Sequence, residues 1–348
     1  MFYPEVKVPV LQNKVFGSKE AAVNSDFGYL QIEQAAGTGI FENRRFDAEK
    51  LIYDQNYDNE QANSAAFEQH LDRVAEILKP YMTGKKVIEV GCGKGHFFRK
   101  LSDLGAEIVG CDPTYQGDDP RIIKEFFSDE LGQKGDVIIL RHVLEHIQNP
   151  VDFIKYIAES NGNKGLIYIE VPDLNWIVAN NVYFDFFYEH VNYFRPEDFK
   201  LIFNKVYEQG VFFNGQYQYV IADLSSINTP PYQFRKVDDV LQISFEKLDT
   251  LSGRLKGVSK PVYIWGGASK GVISSLHLLK RGIPIVALVD INPNKQNKFA
   301  AMTGLPILSP ETFRKQAGGG AVLLIANPNY ESEIRNDLKG IDIEYFNL

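Results

Sequence analysis

A strand that runs directly into a glycine turn lies at Lys86–His96, with the sequence Lys-Val-Ile-Glu-Val-Gly-Cys-Gly-Lys-Gly-His. Its first half is apolar and β-branched, which suits a strand buried on both faces of a parallel sheet. Glycine then occupies every second position. Glycine is needed where the backbone must pass close to a ligand, because a Cβ would occupy that space. The stretch therefore predicts a strand–turn–helix unit with a ligand at its turn.

An acidic residue at the expected distance supports this interpretation. Twenty-one residues after Gly91, a second apolar strand at 106–111 ends in Asp112. This is the layout that holds a ribose by its hydroxyls. The turn is Gly-x-Gly-x-Gly rather than the dinucleotide pattern, and Glu89 lies inside the first strand. Both details favour S-adenosylmethionine, since no pyrophosphate has to be held. Glu89 and Asp112 are predicted to hold its methionine and ribose portions, with Gly91 and Gly93 giving backbone access.

Composition excludes several classes of function. The chain has 348 residues and a net charge of −8, which provides no basic footprint for nucleic acid. It contains no apolar run long enough to span a membrane, and its first residues lack the features of a signal peptide. Only two cysteines occur, Cys92 and Cys111, too few for a disulfide framework. We therefore expect a cytoplasmic protein.

The segments that follow predict the rest of the sheet. Six further strand candidates lie at 106–111, 121–127, 136–140, 166–171, 205–213 and 217–224. Helical segments separate the first five strands, and a short Asn-Gly-Gln turn joins the last two as a hairpin. The pattern predicts an α/β fold with the Rossmann-like, seven-stranded sheet of class I methyltransferases.

A second α/β unit begins near residue 262. Val262–Trp265 is a strand candidate, Gly266–Gly271 is another glycine turn, and the strand Ile285–Val289 ends in Asp290. Either these glycines permit tight packing of a strand on a helix, or they form a second nucleotide site. Lys270 favours the second possibility, because a lysine beside backbone N–H groups suits phosphate.

These features divide the chain into three predicted parts. They are an N-terminal accessory lobe and lid (1–66), an S-adenosylmethionine-binding domain (67–225) and a C-terminal α/β substrate-binding domain (226–348). The segment 46–70 is dense in Tyr, Asn, Gln and Asp. It is either a solvated loop or a polar lid that brings Gln61 and Ser64 to the cofactor.

Two further stretches carry chemistry. Glu189 and His190 are adjacent among five aromatic residues after the fifth strand, where a histidine is suited to act as a general base. The alternative is an ordinary core histidine. At the end of the fourth strand, Arg141 and His142 are expected to border the cofactor. Zinc binding by His142 and His146 is not predicted, because no third ligand stands at a suitable spacing.

Together these stretches resemble the sugar C-methyltransferases, typified by enzymes that methylate carbon 3 of nucleoside-diphosphate keto-deoxyhexoses. The motifs that carry the resemblance are Phe46–Phe67, the Glu-Val-Gly-Cys-Gly-Lys-Gly core, Glu189–Phe194, Trp265–Gly271 and Val289–Pro293. The resemblance implies that the C-terminal domain helps to enclose a sugar nucleotide and that the Glu-His loop supplies the base. It implies catalytic and substrate-binding side chains at His190, Glu189, Tyr188, Tyr57, Asn192, Lys270 and Asn327.

The chain departs from this family in two places. Relatives begin with a cysteine-rich zinc lobe, whereas Ala35 and Thr38 stand at the expected second ligand pair, so we expect no metal. The family's Tyr-x-Glu-His loop has Phe187 in place of its tyrosine. Which of Tyr188 and Tyr57 faces the substrate is therefore left open.

The sequence predicts an S-adenosylmethionine-dependent C-methyltransferase, with S-adenosylhomocysteine as product. It would act beside a carbonyl of a nucleotide-linked keto-sugar or a related small molecule, as a monomer or small homo-oligomer. Two alternatives stay open. One is an O- or N-methyltransferase of the same fold, and the other is a nucleotide- or NAD-binding protein acting through its C-terminal domain.

Overall fold

The computed structural model describes residues 5–51, 64–236 and 244–348. These residues form two α/β domains, each built on one large sheet, and a small N-terminal lobe whose strands pair with strands of both domains. None of the described helices combines the length and the apolarity that crossing a bilayer requires.

The described part of the N-terminal lobe consists of short strands, one short α-helix and a 3₁₀ turn at Ala48–Lys50. Its elements are β1 (Val6–Pro9), β2 (Val15–Phe16), α1 (Lys19–Val23), β3 (Phe27–Leu30), β4 (Ile32–Gln34) and β5 (Phe41–Asn43). Strand β1 pairs with β3, and β4 pairs with β5, both antiparallel.

The central domain alternates strands and helices. Its elements are α2 (Ala65–Met82), β6 (Lys86–Val90), α3 (His96–Asp103), β7 (Glu107–Cys111), β8 (Ile122–Ile123), β9 (Val137–Arg141), α4 (Pro150–Ser160), β10 (Leu166–Pro172), α5 (Leu174–Ala179), β11 (Asn192–Tyr193), α6 (Pro196–Ile202), β12 (Val206–Phe212) and β13 (Tyr217–Asp223). Helix α2 begins at an N-cap, Ser64, whose hydroxyl accepts a hydrogen bond from the Phe67 N–H.

The seven strands of this domain are ordered β12-β13-β10-β9-β6-β7-β8. Strands β8, β7, β6, β9 and β10 are parallel, whereas β13 is antiparallel to both of its neighbours. This confirms the predicted class I methyltransferase sheet. The third strand is shorter than predicted, because only Ile122 and Ile123 pair with β7 and the chain then turns outward through Phe126, which is 79% exposed. Such short edges limit unwanted strand pairing.

The C-terminal domain forms a second sheet, as predicted. Its elements are α7 (Glu246–Leu255), β14 (Val262–Trp265), α8 (Ser269–Lys280), β15 (Ile285–Val289), β16 (Phe299–Ala300), β17 (Ile307–Leu308), α9 (Pro310–Gln316), β18 (Ala321–Ile325), α10 (Glu331–Asp337) and β19 (Ile343–Asn347). The five strands β17-β15-β14-β18-β19 are all parallel.

The lobe connects the two larger units through strand pairing. Strand β2 pairs with β16 of the C-terminal domain, and β5 pairs with β11, which follows the Glu189–His190 pair. One apolar core contains residues of the lobe, of the aromatic segment 182–193 and of the C-terminal sheet. The aromatic segment is therefore held from three sides, which fixes the place of His190.

Candidate active site

The glycine turn after β6 is shaped by Asp112. Its carboxylate accepts hydrogen bonds from the Gly93 N–H (2.7 Å) and from the Thr114 N–H (2.8 Å). Gly91 and Gly93 both have positive φ values, +74° and +54°, which favour glycine. A Cβ at Gly93 would meet no described residue within 4 Å, so the described structure leaves room for a ligand beside this backbone.

Glu89 lies beneath the turn with one oxygen unsatisfied. Its side chain is buried, and Oε2 has no hydrogen-bond partner among the residues that the structure describes. Burial, together with the charges of Asp112 and Glu170, raises the pKa of Glu89 to about 7 against the opposing pull of Arg141. A buried carboxylate oxygen without a donor suits a ligand that brings an N–H group. The turn and Glu89 thus fit the predicted methionine and ribose groups.

Glu170, in β10, is the shared acceptor of a buried hydrogen-bond network that lies below Glu89 and the glycine turn. It accepts hydrogen bonds from His70 Nε2 (2.7 Å), Tyr168 Oη (2.9 Å) and Arg141 Nε (3.0 Å). Burial opposes its ionisation, but the charges and hydrogen bonds of Arg141, His142 and His70 hold the pKa of Glu170 well below its usual value. The network fixes the side chains at the carboxyl end of the sheet.

Arg141 and His142 are both held by carboxylates of this region. The Arg141 guanidinium also lies 4.4 Å from the centre of the Phe97 ring. His142 adopts φ +52°, with Nδ1 3.2 Å from Glu145 Oε1 and Nε2 3.3 Å from Glu170. Burial alone would lower its pKa, but these two carboxylates raise the pKa of His142 to about 9. The imidazole is therefore cationic at neutral pH.

A cavity of about 1110 Å³ separates the carboxyl end of the central sheet from the C-terminal glycine turn. His142, Glu145, His146 and His190 line one side, and Gly266–Gly271 line the other. Because a Cβ at Gly267 would lie 2.8 Å from Asp290 and one at Gly271 would lie 1.9 Å from a backbone oxygen, both glycines are required for packing.

His190 lies in the wall of this cavity. Its Nε2 is 3.2 Å from the side-chain amide nitrogen of Gln12. The ring packs edge-to-face against His146 and Phe187, with centroid distances of 4.8 and 5.0 Å. Burial and the nearby charges of His146, His142 and Lys270 hold the pKa of His190 well below 6.5. A neutral imidazole with a basic nitrogen at the cavity is the form that general-base catalysis requires.

Glu189 reaches His190 through Gln12. Its Oε1 accepts a hydrogen bond of 2.5 Å from the Gln12 backbone N–H, and Oε2 lies 3.9 Å from His146 Nδ1. The side chain is fully buried. Glu189 therefore holds the residue that contacts His190, a role for Gln12 that the sequence did not predict.

The two candidate tyrosines have different positions. The Tyr188 hydroxyl accepts a hydrogen bond from the Asp47 N–H (2.8 Å), and its ring fills the space above Gly28 and packs against Phe46. Tyr188 is thus anchored in the N-terminal lobe, away from the cavity wall that contains His190. Tyr57 and Gln61 lie outside the described residues.

The remaining predicted binding residues have protein partners. Asn192 is buried and donates to the Ile147 carbonyl (2.5 Å). Ser64 and Asn327 line the cavity, where Ser64 donates to Glu333 (2.8 Å) and Asn327 donates to Gln216 (3.1 Å). Lys270 also lines the cavity and forms an ion pair with Asp185.

The fold brings close to His146 a further potential metal ligand that the spacing of residues in the sequence did not indicate. One ligand atom each of Glu145, His146 and His190 lies within 4.8 Å of the others. The expectation that no metal is bound therefore stays a prediction.

Comparison with known proteins identifies the central domain. Residues 60–206 match the family model described as a methyltransferase domain. The chain carries an S-adenosylmethionine-dependent methyltransferase domain. The cofactor turn, Glu170 and the strand bearing His142 all lie within the matched region of this methyltransferase domain.

Two characterised relatives and one solved structure illustrate the similarity. The chain is 27% identical over 137 residues to the tRNA U34 carboxymethyltransferase of Campylobacter hominis, covering 31% of this chain and 48% of that protein. It is 26% identical over 110 residues to the ubiquinone biosynthesis O-methyltransferase of Shewanella halifaxensis, covering 26% and 45%. The chain thus spans slightly less than half the length of these relatives. A SAM-dependent methyltransferase from Archaeoglobus fulgidus matches with a TM-score of 0.36 and 17% identity, over 46% of this chain and 99% of that one.

Proposed function

We propose that the protein is an S-adenosylmethionine-dependent C-methyltransferase that acts beside a carbonyl group of a nucleotide-linked keto-sugar or a related small molecule. The observation that carries the proposal is the neutral, buried His190 imidazole in the wall of the large cavity. A carbon beside a carbonyl must lose a proton before it can accept a methyl group, and His190 is placed to remove it.

The residues that fit the cofactor are those of the first glycine turn. Glu89, Gly91, Gly93 and Asp112 would hold it, with Arg141, His142, Gln61 and Ser64 at its border. When bound, S-adenosylmethionine supplies an electrophilic methyl group on a sulfonium.

His190 would accept the proton at Nε2, the atom that faces Gln12. With the Gln12 amide as donor, this nitrogen carries its lone pair and the ring proton lies on Nδ1. The substrate must displace the Gln12 amide to reach Nε2. Glu189 keeps the Gln12 backbone in place during this exchange. Burial keeps this nitrogen neutral, and the contact with Gln12 orients the ring.

Hydrogen exchange tests this proposal. The protein would be incubated in D₂O with a nucleoside-diphosphate keto-deoxyhexose and S-adenosylhomocysteine, which cannot donate a methyl group. We expect deuterium to enter the carbon beside the ketone with the wild type and more than about tenfold slower with His190→Ala. Methyl transfer to the same substrate without any C–H exchange would contradict the proposal.

The named relatives favour one second candidate. Ubiquinone biosynthesis O-methyltransferases match the same domain, so we also consider O-methylation, with His190 deprotonating a hydroxyl. The position of the methyl group in the product, read from its NMR spectrum, distinguishes the two reactions.

A further inference from the structure

A second feature of the large cavity is a buried lysine that has no acidic partner in the part of the chain that the structure describes. Lys295 follows β15 and is only 7% exposed. Its Nζ lies 3.5 Å from Asn13 Oδ1, which is long for a hydrogen bond. Within the described part of the chain, Lys295 forms an ion pair with no carboxylate.

Lys270, on the same cavity wall, provides the contrast. Its ammonium group forms an ion pair with Asp185, so its charge is already compensated. The sequence pointed to Lys270 as a phosphate ligand because of its place in the glycine turn. Among the described residues, the tertiary structure pairs Lys270 with a carboxylate and does not pair Lys295 with one.

Polar groups from three parts of the chain line the cavity together with Lys295. Asn13 of the lobe accepts a hydrogen bond of 2.8 Å from the Ser269 hydroxyl, and Asn13, Ser269 and Asn292 line the cavity with Lys295. Ser269 is the first residue of α8, a 12-residue helix that has no side-chain cap. The start of such a helix adds partial positive charge to the same wall.

The acidic residue of this region is held by backbone donors. Asp290 accepts hydrogen bonds from the Gly267 N–H and the Asn292 N–H, both 2.8 Å. Its carboxylate shapes the turn and forms no ion pair with Lys295. A buried cation without a counter-charge is costly to maintain, and an anion that enters the cavity would relieve that cost.

We propose that Lys295, with Ser269 and Asn13, forms a phosphate-binding site for the diphosphate of a nucleotide-linked substrate. The Lys295 ammonium and the Asn13 side-chain amide supply donors that match phosphate oxygens, and the Ser269 hydroxyl would turn from Asn13 Oδ1 to donate as well. The cavity volume also leaves room for the groups attached to the phosphate. This inference deepens the proposed function and relies on it for the identity of the ligand.

Calorimetric titration of the full-length protein tests the site without any methyl transfer. The probes are inorganic diphosphate and uridine diphosphate. We expect the wild type to bind at least one of them and Lys295→Met to bind it at least tenfold more weakly, because a charged hydrogen bond is lost. Lys295→Arg should keep part of the affinity. Lys339→Met, which removes an exposed lysine outside the cavity, is the matched control and should bind as the wild type does.

Thermal melting separates a binding role from a structural one. Methionine matches the lysine stem but carries no charge, so the ligand-free Lys295→Met protein should melt at the wild-type temperature or above it. Lys295→Gln provides a second variant. If both variants fail to fold, the ammonium is structural and the inference is overturned.

The other outcomes are equally decisive. Equal affinity of wild type and Lys295→Met, or no binding of either probe at millimolar concentration, would overturn the site. Equal binding of the two probes would identify free diphosphate as sufficient, whereas tighter uridine diphosphate would show a contribution from the nucleoside. If binding of the probes depends on Lys295 but no C–H exchange occurs, the proposed reaction is contradicted, whereas the phosphate-binding site is not.

Discussion

Gln12 and His190 are 178 positions apart in the sequence, yet their side-chain nitrogens lie 3.2 Å apart in the cavity wall. The Glu189 carboxylate holds the Gln12 backbone from the neighbouring position. A short loop of the N-terminal lobe thereby contacts the proposed base directly. The lobe therefore contributes a residue to the candidate active site.

Replacing His190 tests its role as the base. We expect His190→Ala to lower turnover by about a hundredfold or more, with little change in S-adenosylmethionine affinity. Single-turnover methyl transfer and calorimetry measure the two quantities. The matched control is His277→Ala, because His277 is also buried and neutral but packs against Tyr183 and Phe245. A loss of stability with unchanged turnover for His190→Ala would identify it as a core residue.

The two glycine turns allow a paired test of the cofactor site. Asp112 and Asp290 bind their glycine turns in the same way. Each carboxylate accepts one hydrogen bond from a glycine N–H of its turn and one from the backbone N–H two residues after the aspartate itself. We expect Asp112→Ala to weaken S-adenosylmethionine binding at least tenfold, because a charged acceptor is lost. Asp290→Ala should leave that affinity unchanged in the same titration. Equal effects of both variants would argue against the assignment of Asp112.

Glu170 is expected to matter for stability. Glu170→Gln should lower the free energy of unfolding by about 3–5 kcal/mol, because it removes the carboxylate that forms an ion pair of 3.0 Å with Arg141, whose side chain is only 9% exposed. Glu208→Gln is the matched control, since Glu208 also accepts hydrogen bonds from side chains, here two tyrosine hydroxyls, but is only half-buried. It should cost about 1 kcal/mol. Urea denaturation of both variants checks this, and equal losses would contradict the network argument.

Acidification should destabilise the protein through His277. Burial, followed by the charges of Arg281 and Lys280, lowers its pKa from 6.5 to about 4. Below pH 6.5 the unfolded chain therefore binds the proton more readily than the folded one, so stability falls as the pH drops from about 6.5 towards 4. The contribution is about 3 kcal/mol and is fully present above pH 6.5.

Denaturation at pH 7 and at pH 4.5 measures this effect. His277→Leu should lose less stability on acidification than the wild type does. His142 has the opposite pH dependence. Its raised pKa contributes stability that is present below pH 6.5 and is lost as the pH rises towards 9. Identical acid sensitivity of the variant and the wild type would contradict the role of His277.

Metal removal tests the expectation that no ion takes part. We expect turnover to be unchanged after treatment with EDTA, because His190 must keep a free nitrogen to act as a base. Added zinc should inhibit, since Glu145, His146 and His190 are close enough to bind it together. Loss of activity with EDTA and its recovery with zinc would contradict the base mechanism.

The sequence predicted local features well. The strand Val262–Trp265 and the strand Ile285–Val289 have the predicted bounds, and the predicted acids Asp112 and Asp290 accept hydrogen bonds from the two glycine turns. Glu170 was missed, although a charged residue inside the otherwise apolar run 166–171 is a usable signal. Gln12 and Lys295 carry no such signal, because nothing in their neighbouring residues distinguishes them from ordinary polar loop positions.

The sequence by itself determined where the strands, turns and helices form, because backbone sterics and the alternation of apolar residues act between near neighbours. The tertiary structure alone decided which lysine keeps an uncompensated charge and which side chain faces His190. Those outcomes depend on the contact of three separate parts of the chain. Asp185 forms an ion pair with Lys270, and Gln12 contacts His190, only because the lobe, the aromatic segment and the C-terminal sheet share one core.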